Sequence, residues 1–137
     1  MNCPFCDKEH MKDKLIKEKK NCFVLLSNPR LVPGHLLVIP NRHIQKISEL
    51  NEEEKKELFD TVIEFQEKVL KFAKGCDIRQ HFRPFQKQDG LKLDHLHIHL
   101  LPREFEDELY KRCQIHEKGI FKAITEAEKE KFSKIYS

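Results

Sequence analysis

Polar and apolar residues alternate strictly along the stretch His95-Leu96-His97-Ile98-His99-Leu100. A period of two residues is that of a β-strand, whose successive side chains point to opposite faces. The pattern therefore predicts a strand with three imidazoles on one face and an aliphatic row, able to pack into a core, on the other. Pro102 cannot donate to a sheet ladder, so we expect it to end the strand.

Three imidazoles on one strand face can divide several chemical roles between them. Neighbours in the row stand about 6.6 Å apart and the outer pair about 13 Å, so all three cannot easily converge on one metal ion. We expect them to supply a nucleophile, a phosphate ligand and a structural contact. Neutral imidazole suits the first role near neutral pH because its ordinary pKa is about 6.5.

A second motif lies upstream, in Pro33-Gly34-His35-Leu36-Leu37-Val38-Ile39-Pro40-Asn41-Arg42-His43-Ile44. Together the two motifs resemble, in order and spacing, the signature blocks of the histidine triad (HIT) superfamily. With the segment between them the resemblance covers about residues 21–104. It implies a HIT-like fold and a nucleotidyl hydrolase or transferase.

The resemblance also implies roles for the row. His97, the middle histidine, is the expected nucleophile on an α-phosphorus, and water then cleaves the nucleotidyl-histidine intermediate. His99 is expected to hydrogen-bond a phosphate oxygen. No catalytic metal is required. His35 follows a turn, and we expect it to be a hydrogen-bonded structural residue rather than a catalytic one.

Three functions fit this resemblance. The first is a hydrolase of nucleoside phosphoramidates or dinucleoside polyphosphates. The second is a transferase or phosphorylase that passes the nucleotidyl group to an acceptor other than water. The third is a nucleotide-binding scaffold without catalysis, which fits the weaker match at the nucleotide-recognition positions.

Those positions depart from the family pattern. Ser27 and Asn28 stand where many relatives end a strand with a ribose-binding aspartate. Arg83 lies where an asparagine is frequent, and Lys92 lies near a usual hydroxyl and amide. We count Ser27, Asn28, Arg83, Lys92 and His99 as candidate nucleotide contacts. Arg83 and Lys92 would bind phosphate through charge; the alternative for both is a solvent-facing strand residue.

The Cys3-Pro4-Phe5-Cys6 pair admits a redox or a zinc interpretation. A redox site needs a strand before the motif, and only two residues precede Cys3. Zinc needs four ligands, and His10 is a local candidate. Zinc-containing members of the HIT superfamily instead imply Cys3, Cys6, His43 and His95 around a structural zinc ion. We favour that set; His10 and unliganded cysteines remain the alternatives.

The remaining patterns give the other elements. Asn51 is a plausible N-cap of a long amphipathic helix, and Gly75 a plausible stop after it. Apolar residues recur along this helix at three- and four-residue spacing, and Phe59 and Ile63 widen the stripe. The expected strands are residues 14–17, 22–27, 35–39, 76–83 and a last one from about 91; the helix is expected over 52–74.

These elements predict an α+β fold, with a mostly antiparallel sheet of about five strands, one long helix across it and C-terminal helices. We expect one HIT domain over residues 1–137: an N-terminal Cys-x-x-Cys segment (1–20), a core (21–104) and a helical extension (105–137). The resemblance further implies a homodimer, with the long helices and a sheet edge at the interface.

The composition of the chain restricts the classes of binding partner that we expect. The net charge of +3 comes from 26 basic and 23 acidic residues, a balance that does not suggest a nucleic-acid binder but suits a phosphate-bearing substrate. No apolar run approaches the roughly 20 residues that span a bilayer, so no membrane partner is expected. No signal peptide is visible, and five cysteines are poor evidence for disulfides in the cytoplasm, where we expect the protein.

Overall fold

The computed structural model describes residues 3–89 and 92–137. Within them, five strands form one sheet in the order β1-β2-β3-β5-β4, and each neighbouring pair is antiparallel. The fold is α+β, as predicted. The strands are β1 (Leu15–Glu18), β2 (Cys22–Leu26), β3 (Leu36–Pro40), β4 (Gly75–Arg79) and β5 (Ile98–Arg103).

The long helix α1 (Glu52–Val69) begins where the sequence predicts. The Asn51 side chain accepts a hydrogen bond from the Glu54 N–H, and the Glu54 carboxylate accepts one from the Asn51 N–H. The Glu54 carboxylate also binds the guanidinium of Arg42, which lies just after β3. Cap and ion pair together fix the helix start against the sheet.

Both faces of the sheet are covered at β2 and β3. Alternate residues of β2, β3 and β5 pack against α1, on the face that also carries Leu96, Ile98 and Leu100. The opposite face of β2 and β3 carries a second apolar cluster with the N-terminal segment. This arrangement explains why these strands have continuous apolar runs. The second cluster consists of Phe5, Met11, Phe23, Leu25, Leu37 and Ile39.

The predicted end of the helix is wrong by five residues. The helix stops at Val69, and residues 70–74 form a turn in which the Ala73 N–H still donates to the Val69 carbonyl. Gly75 therefore begins β4 and is not the helix stop. Phe72 continues the apolar spacing of the helix beyond its end, but its side chain is 66% exposed. Apolar spacing continues through the turn, so periodicity alone places the boundary too late.

The bounds of β4 and β5 also differ from the predicted ones. β4 ends at Arg79 rather than 83, because its last partner is His99 and the β5 ladder begins at Ile98. Leu91, near which β5 was expected to start, lies outside the described residues. Pro102 does not end β5: it lies within the strand opposite Cys76. β3 pairs with β5 no further than Leu100. At Pro102 the edge of β5 that faces β3 therefore forms no ladder hydrogen bonds, and the missing N–H of proline costs none.

Gly34 allows the sharp turn into β3. Its φ is +83°, in the left-handed region that favours glycine. A Cβ there would also lie 3.2 Å from the Pro102 side chain and 3.4 Å from the Phe72 ring. The turn delivers His35 to the start of β3, next to β5.

The chain divides into two compact units, one up to Phe105 and the other from Glu106. The second unit contains α2 (Glu108–Arg112) and α3 (Glu126–Tyr136), joined through a 3-10 turn over Gln114–Gly119. Thr125 caps α3, because its side chain accepts a hydrogen bond from the Glu128 N–H. In the described part of the chain, no helix has the length and apolar character needed to cross a membrane.

Candidate active site and metal centre

His97 is held in one tautomer by the main chain. Its Nδ1–H donates to the His95 backbone carbonyl over 2.7 Å. A carbonyl only accepts, so the neutral ring carries its proton on Nδ1, and Nε2 keeps its lone pair. No side chain of residues 3–89 or 92–137 hydrogen-bonds that Nε2. Burial lowers the pKa of His97, which keeps the ring neutral and suits it to nucleophilic attack.

His99 is oriented by a histidine that sequence reasoning treated as merely structural. The Leu31 N–H donates to Nδ1 of His35, so the proton of His35 is on Nε2. That Nε2–H donates to Nδ1 of His99 over 2.8 Å. Neutral His99 must then carry its own proton on Nε2, where it can donate to an anionic oxygen. The His97 and His99 ring centroids are 4.9 Å apart.

Both members of this hydrogen-bonded pair are neutral at physiological pH. Burial lowers the pKa of His35 to about 4, with a further contribution from the charge of Arg79. Burial likewise lowers the pKa of His99 to about 3, and His97, His35, His81 and Arg79 add to the effect. The lone pair on Nε2 of His97 and the Nε2–H donor of His99 therefore belong to neighbouring rings that are both neutral.

Cys3, Cys6, His43 and His95 come together as a possible metal-binding group. The Cys3 Sγ is 3.3 Å from Nδ1 of His95, and the Cys6 Sγ is 3.4 Å from Nδ1 of His43. All four candidate ligand atoms lie within 4.8 Å of one another. His10, the alternative ligand, is exposed and is not a member of the group that the described residues form.

Three distances within this group match those between the ligand atoms of a tetrahedral zinc ion. A tetrahedral ion with bonds of about 2.0–2.1 Å to nitrogen and about 2.3 Å to sulfur places its ligand atoms about 3.3–3.8 Å apart. The three S···N distances of 3.3, 3.4 and 3.6 Å lie in that range. The Nε2–H of His95 donates to the Pro40 carbonyl over 2.8 Å, which turns its Nδ1 towards the sulfurs.

Phe5 lies between this group and His97. It lies between the two cysteines in sequence and is buried against the sheet. Its ring packs edge-on against His95, at 5.8 Å between centroids, and against His97, at 5.3 Å. The N-terminal segment therefore contacts both a candidate metal ligand and the candidate nucleophile.

The other predicted nucleotide contacts are less uniform. Ser27 and Asn28 follow β2, and the Ser27 N–H donates to the His35 carbonyl, which holds this loop beside the histidines. The Ser27 hydroxyl donates to the Pro29 carbonyl over 2.8 Å, so only its oxygen remains available, as an acceptor. Asn28 is exposed and precedes a cis peptide bond to Pro29.

Arg83 and Lys92 line a groove beside His95, which residues 81–84, 92–96 and Gln45 form. Lys92 is paired with Asp94 and also donates to the Gln86 carbonyl over 2.8 Å. Its charge is therefore largely neutralised. Arg83 is exposed on a loop, and its expected position in a strand is wrong.

Two further residues near His99, Arg79 and His81, were not predicted from the sequence. Arg79 stands opposite His99 across β4 and β5. His81 follows it, and its ring lies 5.6 Å from that of His99. Burial lowers the pKa of His81, and the charges of Arg83 and Arg79 lower it further. No local motif marks either residue, because their place depends on which residues pair across the sheet.

The HIT domain model matches residues 8–106, the greater part of the chain. The chain belongs to the HIT domain family. Its HIT region includes His43 and all three histidines of the row, whereas Cys3 and Cys6 precede the matched range. The family match therefore covers the candidate active site and only half of the candidate metal ligands.

Two named enzymes are similar in sequence to this chain. Bis(5'-adenosyl)-triphosphatase of Dictyostelium discoideum is 29% identical over 97 residues, 67% of this chain and 64% of the relative. AP-4-A phosphorylase of Mycobacterium tuberculosis is 27% identical over 112 residues, 73% of this chain and 53% of the relative. The chain thus spans between half and two thirds of the length of these two relatives.

The fold is also that of solved HIT structures. A member of the HIT family from Bacillus subtilis superposes with a TM-score of 0.65 and is 25% identical, covering 77% of this chain and 76% of the other. The predicted HIT-like fold is therefore confirmed.

Proposed function

We propose that this HIT protein is a nucleotide hydrolase that cleaves at the α-phosphorus of a nucleoside phosphoramidate or dinucleoside polyphosphate through a nucleotidyl-His97 intermediate. One observation carries the proposal. The Nδ1–H of His97 is bound to the His95 carbonyl, so the lone pair of Nε2 is available next to the donating Nε2–H of His99. Nucleophile and oxyanion donor are the two groups that a displacement at phosphorus needs.

Two displacements complete the reaction. In the first, Nε2 of His97 forms a bond to the α-phosphorus, and the bond from phosphorus to the leaving group breaks with its electron pair on the leaving group. In the second, a water oxygen attacks the same phosphorus and the N–P bond breaks. The water proton is released, and His97 returns to its neutral form. The Nε2–H of His99 donates to a phosphate oxygen in both steps.

Trapping the intermediate tests this proposal. Wild-type protein, quenched during turnover of a radiolabelled phosphoramidate or dinucleoside polyphosphate, should carry label on His97. His97→Ala should carry none and lose nearly all turnover, while still binding nucleoside monophosphate. His116→Ala, an exposed histidine in the second unit, is the matched control and should behave as wild type. Wild-type turnover by His97→Ala would refute the assignment, and an inactive wild type would favour the scaffold function.

A phosphorylase is the second candidate, because the relative from Mycobacterium tuberculosis is named AP-4-A phosphorylase. The first displacement is the same, but inorganic phosphate replaces water in the second. Product analysis separates the two functions. With inorganic phosphate present, a hydrolase still releases nucleoside monophosphate from the intermediate, whereas a phosphorylase releases nucleoside diphosphate.

We further propose that Cys3, Cys6, His43 and His95 hold a structural zinc ion. The donor set and the S···N distances support it. Such an ion would fasten the N-terminal segment to the sheet and contribute folding free energy. His97 and His99 lie outside this ligand set and remain available for chemistry.

Nucleotide contacts beyond His99 follow from the position of the loops. We propose that Ser27 and Asn28 contact the ribose, since the loop that carries them is bonded to His35. Arg83 is the better phosphate ligand of the two predicted cations, because Lys92 already has Asp94 as its partner.

We also propose a homodimer that works in the cytoplasm. Phe59, Ile63 and Leu70 are spaced to lie along one side of α1 and its C-cap, and they are 41%, 62% and 43% exposed. An apolar row of this kind suits a helix that packs against a second copy. All five cysteines are free thiols, which suits a reducing compartment.

A further inference from the structure

Arg79 is a cross-strand neighbour of His99. The two residues are in register on antiparallel strands, so their side chains share one face of the sheet. Burial is the largest cause that lowers the pKa of His35, His81 and His99. The charge of Arg79 lowers the pKa of each of them further. The guanidinium therefore lies within electrostatic reach of three histidines of the candidate active site.

Within residues 3–89 and 92–137, neither Arg79 nor Arg83 pairs with a carboxylate. The nearby acidic side chains already have partners, because Asp77 pairs with Arg103 and Asp94 pairs with Lys92. A half-buried arginine among neutral imidazoles leaves positive charge uncompensated, and an anion is the partner that such a charge lacks.

The leaving group is the part of the substrate that most needs this charge. An amine that departs from a phosphoramidate must take up a proton, and the imidazoles of His35 and His99 are neutral rather than acidic at pH 7. A phosphate that departs from an anhydride needs no proton, since it leaves as an anion. Its departure is favoured by fixed cations, which stabilise the charge as it develops.

We propose that Arg79, together with Arg83, binds the departing phosphates, and that the substrate of this site is therefore a nucleotide whose α-phosphorus is joined through oxygen to further phosphates. This inference rests on the proposed hydrolase function and chooses between its two substrate classes. When the His97–phosphorus bond forms, the bond from the α-phosphorus to the bridging oxygen breaks. The electron pair stays on that oxygen, and the added negative charge on the β-phosphate faces Arg79 and Arg83.

Two substrate classes and three variants test the inference. Adenosine 5′-phosphoramidate and diadenosine tri- and tetraphosphate share the nucleotide and differ in what leaves. Arg79→Gln should lower kcat/KM for the polyphosphates by about 10²-fold, the loss expected for one charge-stabilising donor, and by less than about threefold for the phosphoramidate. Arg79→Lys, which keeps the charge but not the fork of donors, should lie between. Arg112→Gln, which removes a paired arginine from α2, is the control and should match wild type.

A binding measurement makes the test independent of turnover and of variant stability. Inorganic tripolyphosphate should bind the wild-type protein and compete with polyphosphate substrate, and Arg79→Gln should weaken its binding about tenfold, as for a lost charge-assisted contact. An equal loss on both substrate classes, or unchanged tripolyphosphate binding in Arg79→Gln, would overturn the inference while the hydrolase function stands. A wild type that turns over only the phosphoramidate would do the same. If the wild type turns over neither class, the hydrolase function fails, and tripolyphosphate binding alone decides whether Arg79 binds phosphate.

Discussion

At the scale of single residues, two hydrogen bonds decide which nitrogen of His99 carries its proton. The Leu31 N–H fixes His35, and His35 fixes His99. Removing the donor on His35 lets the proton of His99 move to Nδ1, which leaves Nε2 unable to donate. We expect His35→Leu to lower kcat by about 10- to 100-fold with a smaller change in KM, as for other groups that orient a functional imidazole.

His35→Gln provides the control, because its amide can still donate towards His99. Partial rescue in this variant, measured beside His35→Leu by steady-state kinetics, separates orientation from packing. Imidazole ¹⁵N shifts of His99 report the tautomer directly. Equal kinetic losses in both variants with an unchanged tautomer would contradict the role given to His35.

The buried His35 also makes stability depend on pH. Its pKa is about 4 in the folded protein and about 6.5 in the unfolded chain. Between these values the unfolded state binds a proton that the folded state does not, so stability falls as pH falls from about 6.5 towards 4. We expect the urea midpoint to drop between pH 7.5 and pH 5, and to drop less in His35→Leu. An equal drop in both proteins would show that the pKa of His35 is the same in the folded and the unfolded state.

The residues of the site were predictable to the extent that they share a local motif. His97 and His99 are expected from alternation and from the HIT resemblance. The set of four candidate metal ligands is expected from the Cys-x-x-Cys motif and that resemblance. Arg79 and the contact between His35 and His99 do not, because both depend on the register of strands far apart in sequence. Strand register depends on tertiary contacts, so it is only weakly predictable from a single sequence.

At the scale of elements, the N-terminal segment carries the metal prediction. We expect about one zinc per chain by elemental analysis, and a lower melting temperature in Cys3→Ser because thiolate ligands contribute to folding free energy. His43→Ala should lose most of the zinc, whereas His10→Ala, an exposed histidine on the same segment as the cysteines, should keep it. Full zinc occupancy in His43→Ala with none in His10→Ala would show that His10, and not His43, is the zinc ligand.

Element boundaries were predicted where the chemistry is local. The start of α1 is set by Asn51 and Glu54, which lie three residues apart, and it is predicted correctly. Its end is not, because the apolar spacing runs on into the turn at Phe72. Pro102 likewise does not end β5. The pairing of β5 with β3 extends no further than Leu100, so β3 needs no N–H from residue 102. Neighbouring elements decide both outcomes, and the sequence does not display them.

At the scale of the whole molecule, the exposed apolar row on α1 predicts association. Sedimentation equilibrium at micromolar concentration should give a dimer, and Ile63→Glu should shift it towards monomer because a charge on a buried interface is unfavourable. Lys71→Glu, an exposed change just after the helix, is the matched control. A wild-type monomer, or an Ile63→Glu protein as dimeric as the wild type, would rule out this interface.

The packing of Phe5 against His97 has a consequence for the exchange of metal and nucleotide. Because Phe5 lies between two metal ligands and touches the nucleophile, whatever orders one site orders the other. Coupling of this kind is reciprocal: the factor by which zinc tightens nucleotide binding is the factor by which nucleotide tightens zinc binding. A nucleotide bound beside His97 would therefore tighten the binding of the proposed zinc ion, and removal of either ligand would weaken the binding of the other.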